Sequence, residues 1–287
     1  MVVEREPDPS ATLVPVERID RELDGFLRGI RAEMAGFAVD ATLPVDEVIR
    51  IVGAGGKRLR PTFCYWGFRA AGGHDGEPIV RAAAALELLH TMALIHDDLM
   101  DGSTERRGVP ASAVALTDRV RGQVAGDAVE IGRSLAILAG DLAAVLADRL
   151  LLASGFDADR LMPALDRYHR MRTAMAAGQC LDVIGSGADP RTVAALKGGA
   201  YTVEGPLSIG AALAGAGRRI DAALGGYGRP LGLAFQLLDD ERDGDAPPAR
   251  DDVAALVGEA RRALDEPALD RDAVGALLGL ADLVGAG

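Results

Sequence analysis

Apolar residues recur along this chain at the three- and four-residue spacing of helix faces, and hardly anywhere in the alternation of a half-buried strand. The pattern predicts an amphipathic helix over residues 16–37, a shorter one over 45–52, and another over 61–71 that ends at Gly72-Gly73. A central helix opens at Pro78, a first-turn position where the missing proline N–H costs nothing. After a loop and a short helix come long apolar helices over 128–153 and 161–183, then one over 220–243. Two amphipathic helices follow, near 252–264 and 270–284. Residues 1–14, rich in proline and acidic side chains, read as a flexible arm, and 15–287 as a single all-α domain with no linker to divide it. No solenoid repeat is present.

Composition narrows the class. Hydrophobic residues are 49% of the 287 and aromatic ones only 4%, so the core is built mainly from Ala, Leu, Val and Ile, the first two strong helix formers. A net charge of −12 argues against nucleic acid or an anionic membrane surface as the main partner. Cys64 and Cys180 give neither a disulfide framework nor a zinc pattern, and both are expected in the core. The N-terminal stretch lacks an apolar signal core, and no uncharged apolar run reaches about 18 residues. The reading is of a cytoplasmic protein with no membrane-spanning helix.

The chemistry gathers at the end of the central helix. Asp97 and Asp101 are four residues apart, about 40° apart on one helix face, with Cβ atoms about 5–6 Å from each other. Carboxylates so placed suit Mg²⁺, which takes a few of them and leaves positions for phosphate oxygens. Arg106 and Arg107, one short loop on, carry the fork-shaped donors that match phosphate. With 43 acidic residues in the chain, such a pattern arises by chance roughly once, so alone it proves little. A second apolar helix ending in Asp239, Asp240 and Asp243 changes that weight, because two such clusters aimed at one cavity would clamp several metals on a diphosphate.

Other candidates stand between these. The loop Gly53-Ala-Gly-Gly-Lys57-Arg58-Leu-Arg60 brings three positive charges beside glycines that let backbone approach a ligand. His90 and His96, six apart, do not share a face, so each is expected as a hydrogen-bonded core histidine rather than a zinc ligand. Asp141 is expected as a buried helix-packing partner. Lys197, before Gly198-Gly199, is either a surface residue or a buried phosphate contact.

With these motifs in order, the chain resembles the trans-type isoprenyl diphosphate synthases from about residue 16 onward, and among them bacterial geranylgeranyl diphosphate synthases most. The resemblance rests on Gly55-Gly-Lys-Arg-Leu-Arg-Pro61, Glu87-Leu-Leu-His90, Asp97-Asp-Leu-Met-Asp101, Arg106-Arg107, Ala136-Ile-Leu-Ala-Gly-Asp141, Gly178-Gln179, Lys197, and Phe235-Gln236 before Asp239-Asp240. It implies an all-α isoprenoid synthase fold, usually a homodimer, with a helical bundle around a central cavity. It implies that Asp97, Asp98, Asp101, Asp239, Asp240 and Asp243 bind Mg²⁺ ions that hold an allylic diphosphate, helped by Arg106, Lys197 and Gln236. It implies that Lys57, Arg60, His90 and Arg107 bind isopentenyl diphosphate without metal. The reaction so implied ionises the allylic C–O bond, attacks the cation with the isopentenyl double bond and removes a proton.

Two departures accompany the resemblance. The family commonly has Lys-Thr where this chain has Lys197-Gly198, and the loop after the second aspartate cluster normally carries a further lysine and additional helices. Here residues 243–250 run almost directly into the final helices, a shortening of tens of residues, with Arg242 and Arg250 the nearby basic candidates. Three functions compete: a chain-elongating prenyltransferase, a terpene-synthase-like cyclase, and a weakly active regulatory subunit. The Lys57, Arg60, His90 and Arg107 set weighs against a cyclase, which has no need of a second diphosphate site. The six aspartates weigh against the subunit, and the shortened loop for it. Product length depends on the helix below Asp97, where Ala93 lies about 6 Å down, Met92 about 7.5 Å and Leu89 about 12 Å. A small Ala93 and a flexible Met92 leave a deep floor, and geranylgeranyl diphosphate is the expected product.

Overall fold

The computed structural model describes residues 9–185, 187–189, 192–193, 195–243 and 250–285, without the side chains of residues 9–15, Lys197 and Asp243. The helices are α1 (Pro9–Ala35), α2 (Leu43–Gly53), α3 (Leu59–Ala70), α4 (Glu77–Asp101), α5 (Ser112–Val120), α6 (Ala128–Leu152) and α7 (Ala158–Val183). After these come a π-helical segment (Ala195–Glu204), α8 (Gly205–Ala214), α9 (Arg218–Asp243), α10 (Arg250–Ala263) and α11 (Arg271–Gly285). The only strands among the described residues are β1 (Glu105–Arg106) and β2 (Val109–Pro110), paired antiparallel. The predicted helices are thus present. However, α1 begins at Pro9, inside the stretch expected as an arm, and residues 1–8 lie outside the described ones.

Contacts divide the chain into two compact units interleaved in sequence rather than joined by one linker. One comprises Arg18–Arg58 and Ala84–Ser154. Its core gathers Ile51 of α2, Ile95 of α4, Leu116 of α5, and Ala136 and Ala139 of α6. Small residues on α6 let its neighbours come close: a Cβ on Gly140 would fall 2.1 Å from His96 Nε2, which itself reaches the Ile137 carbonyl at 3.3 Å. His96 is therefore hydrogen-bonded, as expected, but half-buried rather than in the core. Asp141, beside it, is exposed, so the packing position is Gly140 and not the aspartate. Arg58 is the buried tie of this unit. It donates to Glu87 at 2.6 Å, Asp20 at 2.8 Å and the Val52 carbonyl at 2.8 Å, joining the loop after α2 to α4 and α1. Burial alone would lower the Arg58 pKa, but the two carboxylates outweigh it and raise it.

The other unit comprises Met1–Glu17, Leu59–Ala83 and Gly155–Gly287. In α3 every residue from Pro61 to Phe68 is buried, the behaviour of a helix covered on all sides. It crosses α8 at glycines: a Cβ on Gly67 would meet the Leu207 carbonyl oxygen at 2.4 Å, and one on Gly210 the Cys64 carbonyl oxygen at 2.0 Å. Cys64 is sealed in, and burial pushes its thiol up to about 12. Cys180 is exposed, contrary to expectation, because it sits two residues past the buried Gly178 and so on the far side of α7. Tyr227 of α9 donates to the Leu277 carbonyl of α11 at 2.7 Å.

Among the described residues α4 is the one helix long and apolar enough to cross a membrane, with mean hydropathy 1.4 over its most apolar stretch. That stretch is 67% buried within the protein, the burial of a core helix.

Candidate active site

The first aspartate cluster occupies the last turn of α4. The helix stops at Gly102, left-handed at φ +65, and the Ser103 N–H reaches back to the Asp98 carbonyl at 2.9 Å, a Schellman closure. Asp97, Asp98 and Asp101 therefore stand at the negative end of the helix dipole, the end that disfavours carboxylates and favours cations. The short ribbon supplies one. Arg107 at φ +54 and Gly108 at φ +74 form a two-residue turn left-handed at both positions, and it turns the chain back toward the helix end.

The two adjacent arginines go to different places. Arg106 Nε donates to Asp98 Oδ1 at 2.7 Å, Nη2 bonds the same oxygen, and Nη2 lies 3.7 Å from Asp97 Oδ2. Burial alone would lower the Arg106 pKa; the bond to Asp98 and the charges of Asp98, Asp97 and Asp101 outweigh it and raise it. Asp98 is 3% exposed, and its second oxygen, Oδ2, is buried without a hydrogen-bond partner. Asp97 is half-buried and Asp101 exposed.

Arg107 turns instead to the glycine loop and α4. Its Nη1 bonds the Gly55 carbonyl and Nη2 lies 3.3 Å from His90 Nε2. Arginine only donates, so His90 Nε2 accepts there, which assigns the imidazole proton to Nδ1. Gly56, at φ +142, lies under the guanidinium, and a Cβ on it would sit 2.8 Å from Nη1. Lys57 is exposed on the same loop. Of the three basic residues in that loop, Arg58 is committed to the buried ion pairs described above, so it holds the fold. Leu89 is fully buried on α4, and Met92 and Ala93 are half-buried.

The remaining candidates belong to the other unit. Arg60 donates to Thr202 Oγ1 at 2.8 Å and lies over the Tyr201 ring at 4.4 Å, while its Nε is buried without a hydrogen-bond partner. Lys197 is on the π-helical segment, and its side chain lies outside the described residues. Gln236 Nε2 donates to Asp240 Oδ1 at 2.7 Å in the last turns of α9. Asp239 and Asp240 are half-buried, and Asp243 ends the helix with its side chain outside the described residues. Residues 244–249, where the shortened loop was expected, also lie outside them. Sequence reasoning missed Tyr201 and Thr202. The only signal for these two was their place soon after Lys197.

Among the described residues no three His, Cys, Asp or Glu side chains form a ready-made metal group. Mg²⁺ does not require one: it binds through one or two carboxylates and completes its shell with water and phosphate oxygens. An all-oxygen donor set and the unsatisfied Asp98 Oδ2 at the C-terminal end of α4 fit such an ion.

Long helices that end in aspartates, with an arginine folded back onto one such end, define the all-α isoprenoid synthase class. The polyprenyl synthetase family model matches residues 45–251, and the chain belongs to this family. It is 34% identical over 202 residues to a geranylfarnesyl diphosphate synthase from Aeropyrum pernix, covering 67% of this chain and 58% of that protein. It is 33% identical over 234 residues to a geranylgeranyl diphosphate synthase from Methanosarcina mazei, covering 76% of this chain and 66% of that one. The chain thus spans less than two thirds of the length of either relative. A crystal structure of geranylgeranyl pyrophosphate synthase from Corynebacterium glutamicum, complexed with isoprenyl diphosphate and magnesium, superposes with a TM-score of 0.87 at 28% identity. That match covers 95% of this chain and 98% of the other.

Proposed function

We propose that this protein is a Mg²⁺-dependent trans-prenyltransferase that condenses isopentenyl diphosphate with an allylic diphosphate and yields geranylgeranyl diphosphate. The observation that carries the reading is the divergence of Arg106 and Arg107. Arg106 stands among carboxylates, where a diphosphate is tolerated only with metal ions between. Arg107 turns away from that cluster to His90 Nε2 and the Gly55 carbonyl, and a guanidinium there suits a diphosphate by charge-assisted hydrogen bonds. Two diphosphate sites of different electrostatics suit two diphosphate substrates.

In this reading Asp97, Asp98, Asp101, Asp239, Asp240 and Asp243 bind the metals, several ions in all, and Arg106, Lys197 and Gln236 contact the allylic diphosphate. Bound Mg²⁺ supplies positive charge where negative charge develops on the leaving diphosphate. Lys57, Arg60, His90 and Arg107 hold isopentenyl diphosphate and orient its double bond. Incubating the pure protein with Mg²⁺, dimethylallyl diphosphate and isopentenyl diphosphate is expected to give a twenty-carbon diphosphate. Hydrolysis or cyclisation of the allylic substrate without condensation would favour a cyclase of the same fold. No turnover with all components present would favour a regulatory subunit.

Arg107→Ala should raise the KM for isopentenyl diphosphate roughly 10- to 100-fold, the loss of one charge-assisted contact, and that for the allylic substrate less than about threefold. Steady-state kinetics with each substrate varied in turn checks this. Equal effects on both would show that the sites are divided wrongly.

We also propose that the protein pairs with a second copy through α6. Leu138, Val145 and Leu152 are 53%, 60% and 56% exposed and seven residues apart, one apolar stripe along the helix. Sedimentation should show a dimer, and Val145→Asp a monomer; a monomeric unmodified protein would remove the proposal.

A further inference from the structure

Helix α9 meets the π-helical segment along positions four residues apart. A Cβ on Gly228 would sit 2.9 Å from the Glu204 Cα. One turn on, a Cβ on Gly232 would meet the Gly199 carbonyl oxygen at 2.5 Å, so the two backbones touch there. A further turn on, the amide of Gln236 lies over Gly198, and a Cβ on that glycine would fall 1.5 Å from Oε1, inside the Gln236 side chain. The same amide donates from Nε2 to Asp240 Oδ1 at 2.7 Å, one more turn along. An ionised carboxylate only accepts, so the amide nitrogen must face Asp240 and Oε1 must face the glycine. Gly198 is buried, so its missing side chain is space that the glutamine takes.

Building on the reading of the aspartates as Mg²⁺ ligands, we propose that Gln236 is a positioning residue for Asp240 and that Gly198 is the niche that seats it. The backbone contact at Gly199 and Gly232 sets the spacing, the niche holds the amide still, and the amide fixes the Asp240 carboxylate for the metal. At this backbone spacing a Cβ at position 198 overlaps the amide oxygen, so the amide must shift and its hold on Asp240 loosens. Partners of this kind, which orient a metal's own ligands, change metal affinity by about 10- to 100-fold.

The test is Mn²⁺ titrated into the protein in the presence of inorganic pyrophosphate and followed by electron paramagnetic resonance. Gly198→Ala and Gln236→Ala should each weaken Mn²⁺ binding on the order of tenfold. The double variant should bind no more weakly than Gln236→Ala alone, because both changes remove one and the same contact. Wild-type affinity in Gly198→Ala, or losses that multiply in the double variant, would overturn the proposal while leaving the metal reading intact. An unmodified protein that binds no Mn²⁺ would overturn the metal reading, and this inference with it. Should Gly198→Ala fail to fold, Gln236→Leu keeps the niche filled without an amide. It must weaken Mn²⁺ to the same degree, and unchanged affinity there overturns the proposal.

Discussion

Asp97→Ala is expected to reduce turnover on the order of a thousandfold or more, with Asp239→Ala doing the same. Asp97 is half-buried in the last turn of α4, and Arg106 Nη2, 3.7 Å away, is already bonded to Asp98. In the magnesium reading, truncating Asp97 removes a ligand without freeing Arg106, which keeps its bonds to Asp98. It also removes a negative charge from the end of a helix that disfavours one, a gain of about 0.3–1 kcal/mol. A lost structural contact would lower the melting temperature together with the rate. A lost metal ligand lowers the rate and leaves the melting temperature level or slightly raised. Turnover and thermal unfolding measured on the same samples separate the two, and excess chelator should reproduce the loss in the unmodified protein. Full product formation with chelator present would end the magnesium reading.

The helices were legible because their apolar spacing is regular and their ends carry signals. Gly102 marks the close of α4, and the aspartates before it fall on the last turn, where the spacing put them. The ribbon of Glu105–Arg106 and Val109–Pro110 was not legible, since two-residue strands are too short for alternation to register. The π-helical segment was also hidden, because ten residues of apolar spacing do not separate a five-residue hydrogen-bond step from a four-residue one. In the basic loop, Lys57, Arg58 and Arg60 look alike in sequence. What separates them is a left-handed backbone at Arg58, φ +49, and carboxylates at Asp20 and Glu87 that lie 38 and 29 residues away. Asp141 and Cys180 were misplaced for one shared reason: an apolar neighbourhood in sequence says that a helix is buried, not which of two adjacent residues faces inward. Gly198 read as a lost contact, and only the position of Gln236 shows what fills its place.

Ala93→Phe is expected to shorten the product from twenty carbons to fifteen or fewer. A prenyl tail whose diphosphate is held at Asp97 would run along α4 away from the metals, at about 1.5 Å per residue. Ala93, one turn below, is half-buried, so a phenyl ring there does not have to be forced into a filled core. Leu89, two turns below Asp97, is fully buried and marks the depth beyond which the helix is packed against its own unit. Between those levels Met92 is half-buried, and its unbranched side chain adapts to an apolar chain at little cost. The geranylgeranyl and geranylfarnesyl synthases among its relatives differ in product, so family membership alone does not decide the length and this level of the helix carries the expectation. Chromatography of the dephosphorylated products, from protein whose melting temperature is unchanged, gives the answer. If the unmodified protein already stops at fifteen carbons, or if Ala93→Phe leaves the chain length as it was, the floor is set elsewhere and not by α4.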